Sequence, residues 1–560
     1  MLSKIINTRI VDFLKINSDI VINLTIVAAL TFFLFVISPL NILSFNYIEF
    51  NYGFYNLLSY SLNYFFIAFL LLSIPIFILN IYCKKIYCYF FTFIFYIAVV
   101  NTQFLYGYYG EFDGRGLNFN FLSYTSLSQL IASFAILILI LSKKINKIFY
   151  FFSLSYLLIL LLISYFFLVQ NQENLDKYPV AASPEVVHKF LSFSKTQPNY
   201  LYILLDEVYG GSTQNIFEDR PDLAKKFAGF TNYTNASALY PNTLPSITSI
   251  LTGEIYKEGE NFNEYFLNSF KKSSLLSKLE LINASTGFYI HPWFEKGVPL
   301  DSYIPMGSFF LAPTLKRDYL NLLNLSLFKA TPDILKSYIY SDNNWIIEYK
   351  EDISLYTKES NFFIENINNS NSKITFKFFH SVITHSPIEH NEKGEYFKDN
   401  LAKNYENHYN EDTYGFVFVS EVLNELKKLG IYDNTFIIIS SDHGRDVLPE
   451  KIKSNPALRK LDNSHAQGET VYGTSHVALL IKPFNTRGAF NNSDEPISLG
   501  DISPMIISNI DEVPYVIKKD RKFYFSYSSP KFNWNSFEKL PTIHKYEIGN
   551  DITNFNEWKQ

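Results

Sequence analysis

Phe436-Ile-Ile-Ile-Ser-Ser-Asp-His-Gly-Arg445 is an apolar, β-prone run that delivers a carboxylate and an imidazole side by side at its end. Asp442 and His443 at the C-terminal edge of a strand can share one divalent cation, and open α/β sheets gather their ligands at that edge. The stretch therefore predicts a sheet strand that ends in a metal-dependent enzyme site. An Asp-His-Gly triplet also fits a solvated turn after a buried strand, so the reading depends on three further segments.

Tyr200 to Leu205 is a second short apolar run, and it ends in Asp206-Glu207. Two adjacent carboxylates at a strand end are costly to hold unless a cation or basic group neutralises them. An N-cap or an acidic turn is the plainer alternative. Between the two runs, Tyr240-Pro-Asn-Thr-Leu-Pro-Ser-Ile-Thr-Ser-Ile-Leu-Thr-Gly253 reads as a loop entering a helix, with Pro245 in the first turn and Gly253 at the end. Thr243, just before that helix, sits where backbone N–H groups favour an anion, and a hydroxyl beside a metal can ionise to a nucleophile. On its own it would be a simple N-cap. Histidines follow in Phe379-His-Ser-Val-Ile-Thr-His-Ser-Pro387 and Gly473-Thr-Ser-His476. They can bind a second metal, hold an anionic oxygen or donate a proton. His380 reads as an ordinary strand or surface residue, whereas His385 and His476 are the site candidates.

Taken in order, these motifs make residues 199 to 510 resemble the sulfatase-like branch of the alkaline phosphatase superfamily. The resemblance is strongest to its membrane-anchored phosphoethanolamine and phosphoglycerol transferases, including lipoteichoic acid synthases. It is carried by Asp206-Glu207, Leu251-Thr-Gly253, His385-x-Pro387, Asp442-His443-Gly444, His476 and Asp501-Ile-Ser-Pro504. It implies an α/β domain with a mostly parallel sheet and a metal, zinc or manganese, held by Asp206, Glu207, Thr243, Asp442 and His443. It further implies Thr243 as nucleophile, with His385 and His476 at the phosphate or leaving group or completing a second metal site. The Cys/Ser-x-Pro-x-Arg of true sulfatases is Thr243-Leu-Pro-Ser-Ile247 here. Threonine cannot become formylglycine, so the usual sulfatase route is closed.

The first 170 residues are strongly apolar and aromatic, with five stretches long enough to cross a bilayer of ~30 Å at ~1.5 Å per residue. They run about 20–40, 58–81, 87–107, 122–142 and 148–170. Lys4, Arg9 and Lys15, the pair Lys84 and Lys85, and Lys143, Lys144 and Lys147 alternate with loops whose one basic residue is Arg115, beside Glu111 and Asp113. By the positive-inside rule the N-terminus is cytoplasmic and the C-terminal domain lies outside. The expected organisation is a five-helix membrane domain over 1–170, a linker with a juxtamembrane helix over 171–198 (Pro184 to Phe193), and an extracytoplasmic catalytic domain over 199–560. Residues 511–560, with Lys518, Lys519, Arg521 and Lys522, are expected to form a small antiparallel subdomain. Its basic cluster reads as a solvated strand edge that could meet anionic headgroups. The outward loop Gly107 to Gly116 could touch a lipid donor, although an ordinary turn explains it as well.

The net charge of −5 over 560 residues and the lack of a basic stripe make nucleic acid an unexpected partner. Cys83 and Cys88 are the only cysteines, both in the membrane half, so the outer domain can form no internal disulfide. The expected function is transfer of a phospho-headgroup, phosphoethanolamine or phosphoglycerol, from a membrane phospholipid to an envelope glycan or lipid. The reaction would pass through phosphothreonine at the bacterial cytoplasmic membrane. A membrane-anchored phosphoester hydrolase on the same residues and a non-catalytic envelope-lipid sensor are the rival readings.

Overall fold

The computed structural model describes residues 20–46, 54–105, 123–142, 182–309, 314–341, 344–347, 354–397, 400–518, 520–526 and 543–560, with a few others between 107 and 166. The chain divides into two compact units. One comprises Met1–Val180 and Leu311–Tyr349, the other Ala181–Phe310 and Lys350–Gln560.

Among the described residues the first unit holds four helices long and apolar enough to cross a membrane. They are α1 (Ile20–Ser44), α2 (Phe54–Ile78), α3 (Ile81–Gln103) and α4 (Tyr124–Leu141). Asn80 caps α3 by accepting from Cys83 N at 3.0 Å, and Ser123 caps α4 through Ser126 N at 3.1 Å. Hydroxyls inside these helices fold back onto their own backbone, as Thr31 Oγ1 does to Val27 O at 2.7 Å and Thr102 Oγ1 to Ala98 O at 2.6 Å. That satisfies them without water, the requirement a bilayer imposes. The four helices correspond to the first four expected spans. Most of the fifth expected span, the basic residues of 1–19 and 143–147, and most of the loop 107–116 lie outside the described residues.

The second unit is built on an eight-stranded sheet. Its strands are β1 (Asn199–Leu205), β2 (Thr231–Tyr233), β3 (Ser285–Ile290), β4 (Tyr303–Pro305), β5 (Thr375–Ser381), β6 (Thr435–Ser440), β7 (Leu479–Lys482) and β8 (Asn491–Ser493). The order is β8-β2-β7-β6-β1-β5-β3-β4, with β6, β1, β5, β3 and β4 parallel and β7 antiparallel to both of its neighbours. Side chains of β1 alternate between two cores: Tyr200, Tyr202 and Leu204 enter one, and Leu201, Ile203 and Leu205 the other. Both faces are thus covered, which explains why the central strands read as unbroken apolar runs.

Three features depart from the sequence expectation. The helix α5 (Pro184–Leu191), capped by Ser183 at Val186 N, is amphipathic as expected, and its apolar side enters a protein core. Its Phe190, with Phe193 just beyond it, is fully buried in a core of the second unit, so that unit starts at Ala181 rather than residue 199. The C-terminal strands β9 (Arg521–Ser526) and β10 (Ile543–Ile548) do pair antiparallel, yet Phe523, Phe525, Tyr546 and Trp558 join the main core. Arg521 is not a solvated edge residue. It is buried and donates to Asn235 O at 2.7 Å and Asn235 Oδ1 at 3.0 Å. Finally, residues 311–349 interrupt the sequence of the second unit but belong to the first.

Phe190 lies against Tyr289, Phe363 and Phe379, so Phe190→Ala should remove about 3–5 kcal/mol from the second unit. Thermal denaturation of the purified protein, followed by intrinsic fluorescence, measures this loss. A change of a few tenths of a kcal/mol would mean that α5 is only a linker.

Candidate active site and metal centre

The parallel strands end together, and the chemistry lies just beyond their ends. Asp206 follows β1, and its backbone N donates to Ser381 O of β5 at 3.0 Å. Glu207 then takes a left-handed conformation, φ 66°, that few non-glycine residues adopt. The surrounding structure fixes this turn. Thr384 Oγ1 donates to Asp206 O at 2.7 Å, Arg445 Nε to Glu207 O at 2.7 Å, and Glu207 N to Asp442 Oδ1 at 3.3 Å. Asp442 and His443 follow β6, where Ser441 Oγ donates to Val208 O at 2.7 Å. Gly444 is required at the next position, because a Cβ there would fall 2.1 Å from Gly473 O.

Asp206, Asp442 and His443 converge, each offering a ligand atom within 4.8 Å of the others. His443 Nε2 lies 3.5 Å from Asp442 Oδ2 and 4.0 Å from Asp206 Oδ1. Both of those carboxylate oxygens are buried and lack a hydrogen-bond partner. His443 Nδ1 donates to Gly444 O at 2.8 Å, which leaves the Nε2 lone pair facing the carboxylates. Two buried, like-charged groups with unpaired oxygens beside an oriented imidazole form a donor set that fits a divalent cation. The mixed oxygen and nitrogen donors suit zinc and manganese alike.

Thr243 completes the constellation. It is the first residue of the helix α6 (Thr243–Thr252), one position further in than the sequence suggested, and its Oγ1 stands 3.4 Å from His443 Nε2. Asn242, the N-cap, makes no side-chain cap; Ser526 Oγ of β9 lies 3.3 Å from its Oδ1. The first-turn N–H groups of α6 are therefore left without a side-chain cap, as suits an anion-binding end. Gly253 closes the helix at φ 76°, as its sequence position implied. Leu244 to Thr252 are buried, whereas Thr243 is half-buried and reachable.

Burial opposes ionisation of Asp206, but the His380 hydrogen bond and the neighbouring His385 and His443 outweigh it and hold the carboxyl well below its usual range. Asp442 is pushed the other way, by burial and by the charge of Asp206. Glu207 is not one of the three converging side chains. Burial opposes its ionisation too, yet His385, Arg445, Lys403 and His408 bring it down to about 2. His385 is half-buried, with Nδ1 2.6 Å from Ser386 O, and its charge acts on both Asp206 and Glu207, which puts it at the edge of the site.

His476 is placed elsewhere. Its Nε2 lies 3.0 Å from Thr234 O and its Nδ1 3.0 Å from Tyr472 Oη, so the carbonyl takes the one N–H and the tyrosine hydroxyl meets the lone pair. Burial pushes its pKa down to about 4. A neutral imidazole with both nitrogens engaged is a core residue, and the catalytic role expected for His476 finds no geometry to support it.

Three residues that sequence reasoning passed over do belong here. His380 Nε2 lies 2.8 Å from Asp206 Oδ2, holding the ligand carboxylate from the neighbouring strand. Buried Arg445 ties Glu207 O to Asp412, donating to Asp412 Oδ1 at 2.8 Å. His291, directly after β3, has its pKa pushed to about 3 by burial and by His380. The available signal was position, since His291 follows an apolar run just as Asp206 and Asp442 do.

Two outcomes follow from this arrangement. Asp442→Asn should abolish stoichiometric metal in the purified protein, and His380→Ala should weaken metal binding roughly 10–100-fold while leaving the fold intact. Elemental analysis and metal titration read both. His476→Gln should lower the melting temperature but leave the turnover of a phosphodiester substrate within a few-fold; a loss of a thousandfold or more with the fold retained would restore a catalytic role.

No curated protein sequence matches the chain. Solved structures that resemble it include the phosphonate monoester hydrolase SpPMH of Silicibacter pomeroyi, 13% identical over 60-odd per cent of this chain (63%) and 89% of that one, TM-score 0.36. The C-terminal periplasmic domain of EcEptC from Escherichia coli is 13% identical over 60% of this chain and 91% of that one, TM-score 0.35. The lipoteichoic acid synthase LtaP of Listeria monocytogenes is 14% identical over 60% and 79%, TM-score 0.35. The sulfatase family model matches residues 198–506, more than half of the 560-residue chain and all of the strand-end motifs described above. The chain belongs to the sulfatase family.

Proposed function

We propose that the protein transfers a phospho-headgroup, phosphoethanolamine or phosphoglycerol, from a membrane phospholipid to a hydroxyl of an envelope glycan or lipid. The observation that carries the reading is Thr243 Oγ1 at the start of a buried helix, 3.4 Å from His443 Nε2 and beside the paired carboxylates. An aliphatic hydroxyl in that place suits a covalent phosphoryl route, and Thr243-Leu-Pro-Ser-Ile247 lacks what formylglycine chemistry needs. Four apolar helices on the same chain favour a lipid donor.

A divalent cation held by Asp206, Asp442 and His443 would lower the pKa of the Thr243 hydroxyl and balance charge on the phosphoryl oxygens. Deprotonated Thr243 Oγ1 forms a bond to phosphorus as the bond from phosphorus to the diacylglycerol oxygen breaks. His385, at the edge of the site, protonates the departing alkoxide. The N-terminal end of α6 holds the phosphoryl oxygens, and His380 and Arg445 keep Asp206 and Glu207 in place. In the second step His385, now neutral, takes the proton of the acceptor hydroxyl as its oxygen attacks phosphorus, and the Thr243–phosphorus bond breaks to return Oγ1 to its deprotonated form. The catalytic unit faces the periplasm or cell exterior in this reading, with the N-terminus cytoplasmic.

Intact-mass analysis of protein purified from its native membrane tests the route. Wild type should carry an added phospho-headgroup that is absent in Thr243→Ala, and the added mass names the group. Release of free phosphoethanolamine or glycerol phosphate together with diacylglycerol, and no headgroup on any acceptor, would instead indicate hydrolysis by water.

A further inference from the structure

The catalytic sequence is interrupted between β4 and β5 by residues that join the other unit, so the covalent chain passes between the two units near residues 180, 310 and 349. We propose that residues 311–349 are a second membrane attachment of the catalytic unit, built into the apolar helix bundle of the same chain. The linker before Ala181 would then be only one of the connections that hold the enzyme to the membrane.

The insert helix Thr314–Ala330 is buried around much of its circumference, with Tyr319, Leu320, Leu322, Leu323, Phe328 and Ala330 all enclosed. A helix apolar on several sides belongs inside a bundle rather than on a water-facing surface. Leu320, Leu322 and Leu323 share one cluster with Ile42 and Leu43, at the end of α1, and with Leu57 of α2. The Tyr319 ring stacks on Tyr64 with centroids 5.0 Å apart, and its hydroxyl donates to Phe35 O at 3.1 Å.

The polar groups of the insert are also matched to this bundle. Asn101 Nδ2 of α3 donates to Ala330 O at 3.1 Å. Asp333, buried, takes hydrogen bonds from Tyr109 Oη and from Ser126 Oγ of α4, the latter at 2.7 Å, while its backbone N donates to Gln129 Oε1 at 2.8 Å. Asn324 exchanges two hydrogen bonds with Ile347, at 2.8 and 3.2 Å, which satisfies its amide within the insert. A carboxylate and a carbonyl paired to specific transmembrane-helix side chains fix the insert in one register. Detaching it would leave these donors and acceptors unpaired in apolar surroundings, which is a steep cost.

The test cuts the linker. A protease site placed at residues 175–179 of the full chain is cleaved in isolated membranes, which are then washed with high salt and alkaline carbonate. The fragment from 181 onward should stay with the membrane pellet and copurify with the N-terminal fragment in mild detergent; its appearance in the wash overturns the proposal. A Tyr64→Cys, Tyr319→Cys pair in a Cys83→Ser, Cys88→Ser background should link the two cut fragments through a short bismaleimide. Retention without that cross-link means another surface holds the fragment, and overturns the proposal as well. Tyr319→Asp with Leu320→Asp and Leu323→Asp should release a cut fragment that still resists trypsin as wild type does. Continued membrane retention of such a folded fragment contradicts the proposal.

Discussion

Two buried carboxylates facing one another set the terms for the rest of the catalytic unit. Asp206 and Asp442 stand at the ends of adjacent parallel strands, β1 and β6, each with an oxygen that no protein group satisfies. Their mutual repulsion in a poorly solvated place pushes Asp442 toward its neutral form, and a cation between them would relieve it. The neighbouring structure works to keep them there. His380 holds the outer oxygen of Asp206, the left-handed turn at Glu207 is tied down at both carbonyls, and Gly444 lets the β6 end approach Gly473 without a side chain between. Stability is spent on a strained turn and unpaired charge so that donors are aligned before a metal or substrate arrives.

The same constraint explains which parts could be read from the sequence. Strands buried on both faces appear as apolar runs, and chemistry at their C-terminal ends follows them directly, so Asp206, Asp442 and His443 were legible one segment at a time. Thr243 was legible through the helix it begins, since Pro245 and Gly253 mark the two ends. His380 was misread as an ordinary strand residue because its role depends on register. It lies opposite Leu204, and that pairing carries it to the side of Asp206. His476 presents the opposite case. Its place in the order of motifs suggested chemistry, but Thr234 and Tyr472 arrive from elsewhere in the chain to engage both its nitrogens.

Division of the chain into units was the least legible level. Among the described residues hydropathy located the four apolar helices, because length and composition alone decide that property. It could not place residues 311–349, whose helix is only moderately apolar and reads as one more element of the catalytic domain. Contacts between residues more than two hundred positions apart, such as Asn101 with Ala330 and Ser126 with Asp333, assign the segment to the first unit. The helix α5 shows the converse. Its amphipathic pattern fits a membrane surface and a protein core equally well, and the enclosed Phe190 decides for the core.

The central claim is that Asp206, Asp442 and His443 hold a catalytic metal against Thr243. X-ray absorption at the edge of the bound metal, on protein purified from its native membrane without added chelator, tests it most directly. The account predicts one imidazole nitrogen and otherwise oxygen ligands at about 2.0–2.2 Å, with the shell altered in Thr243→Ala. A folded protein that holds no metal, or a shell with several imidazoles or with sulfur, would contradict it.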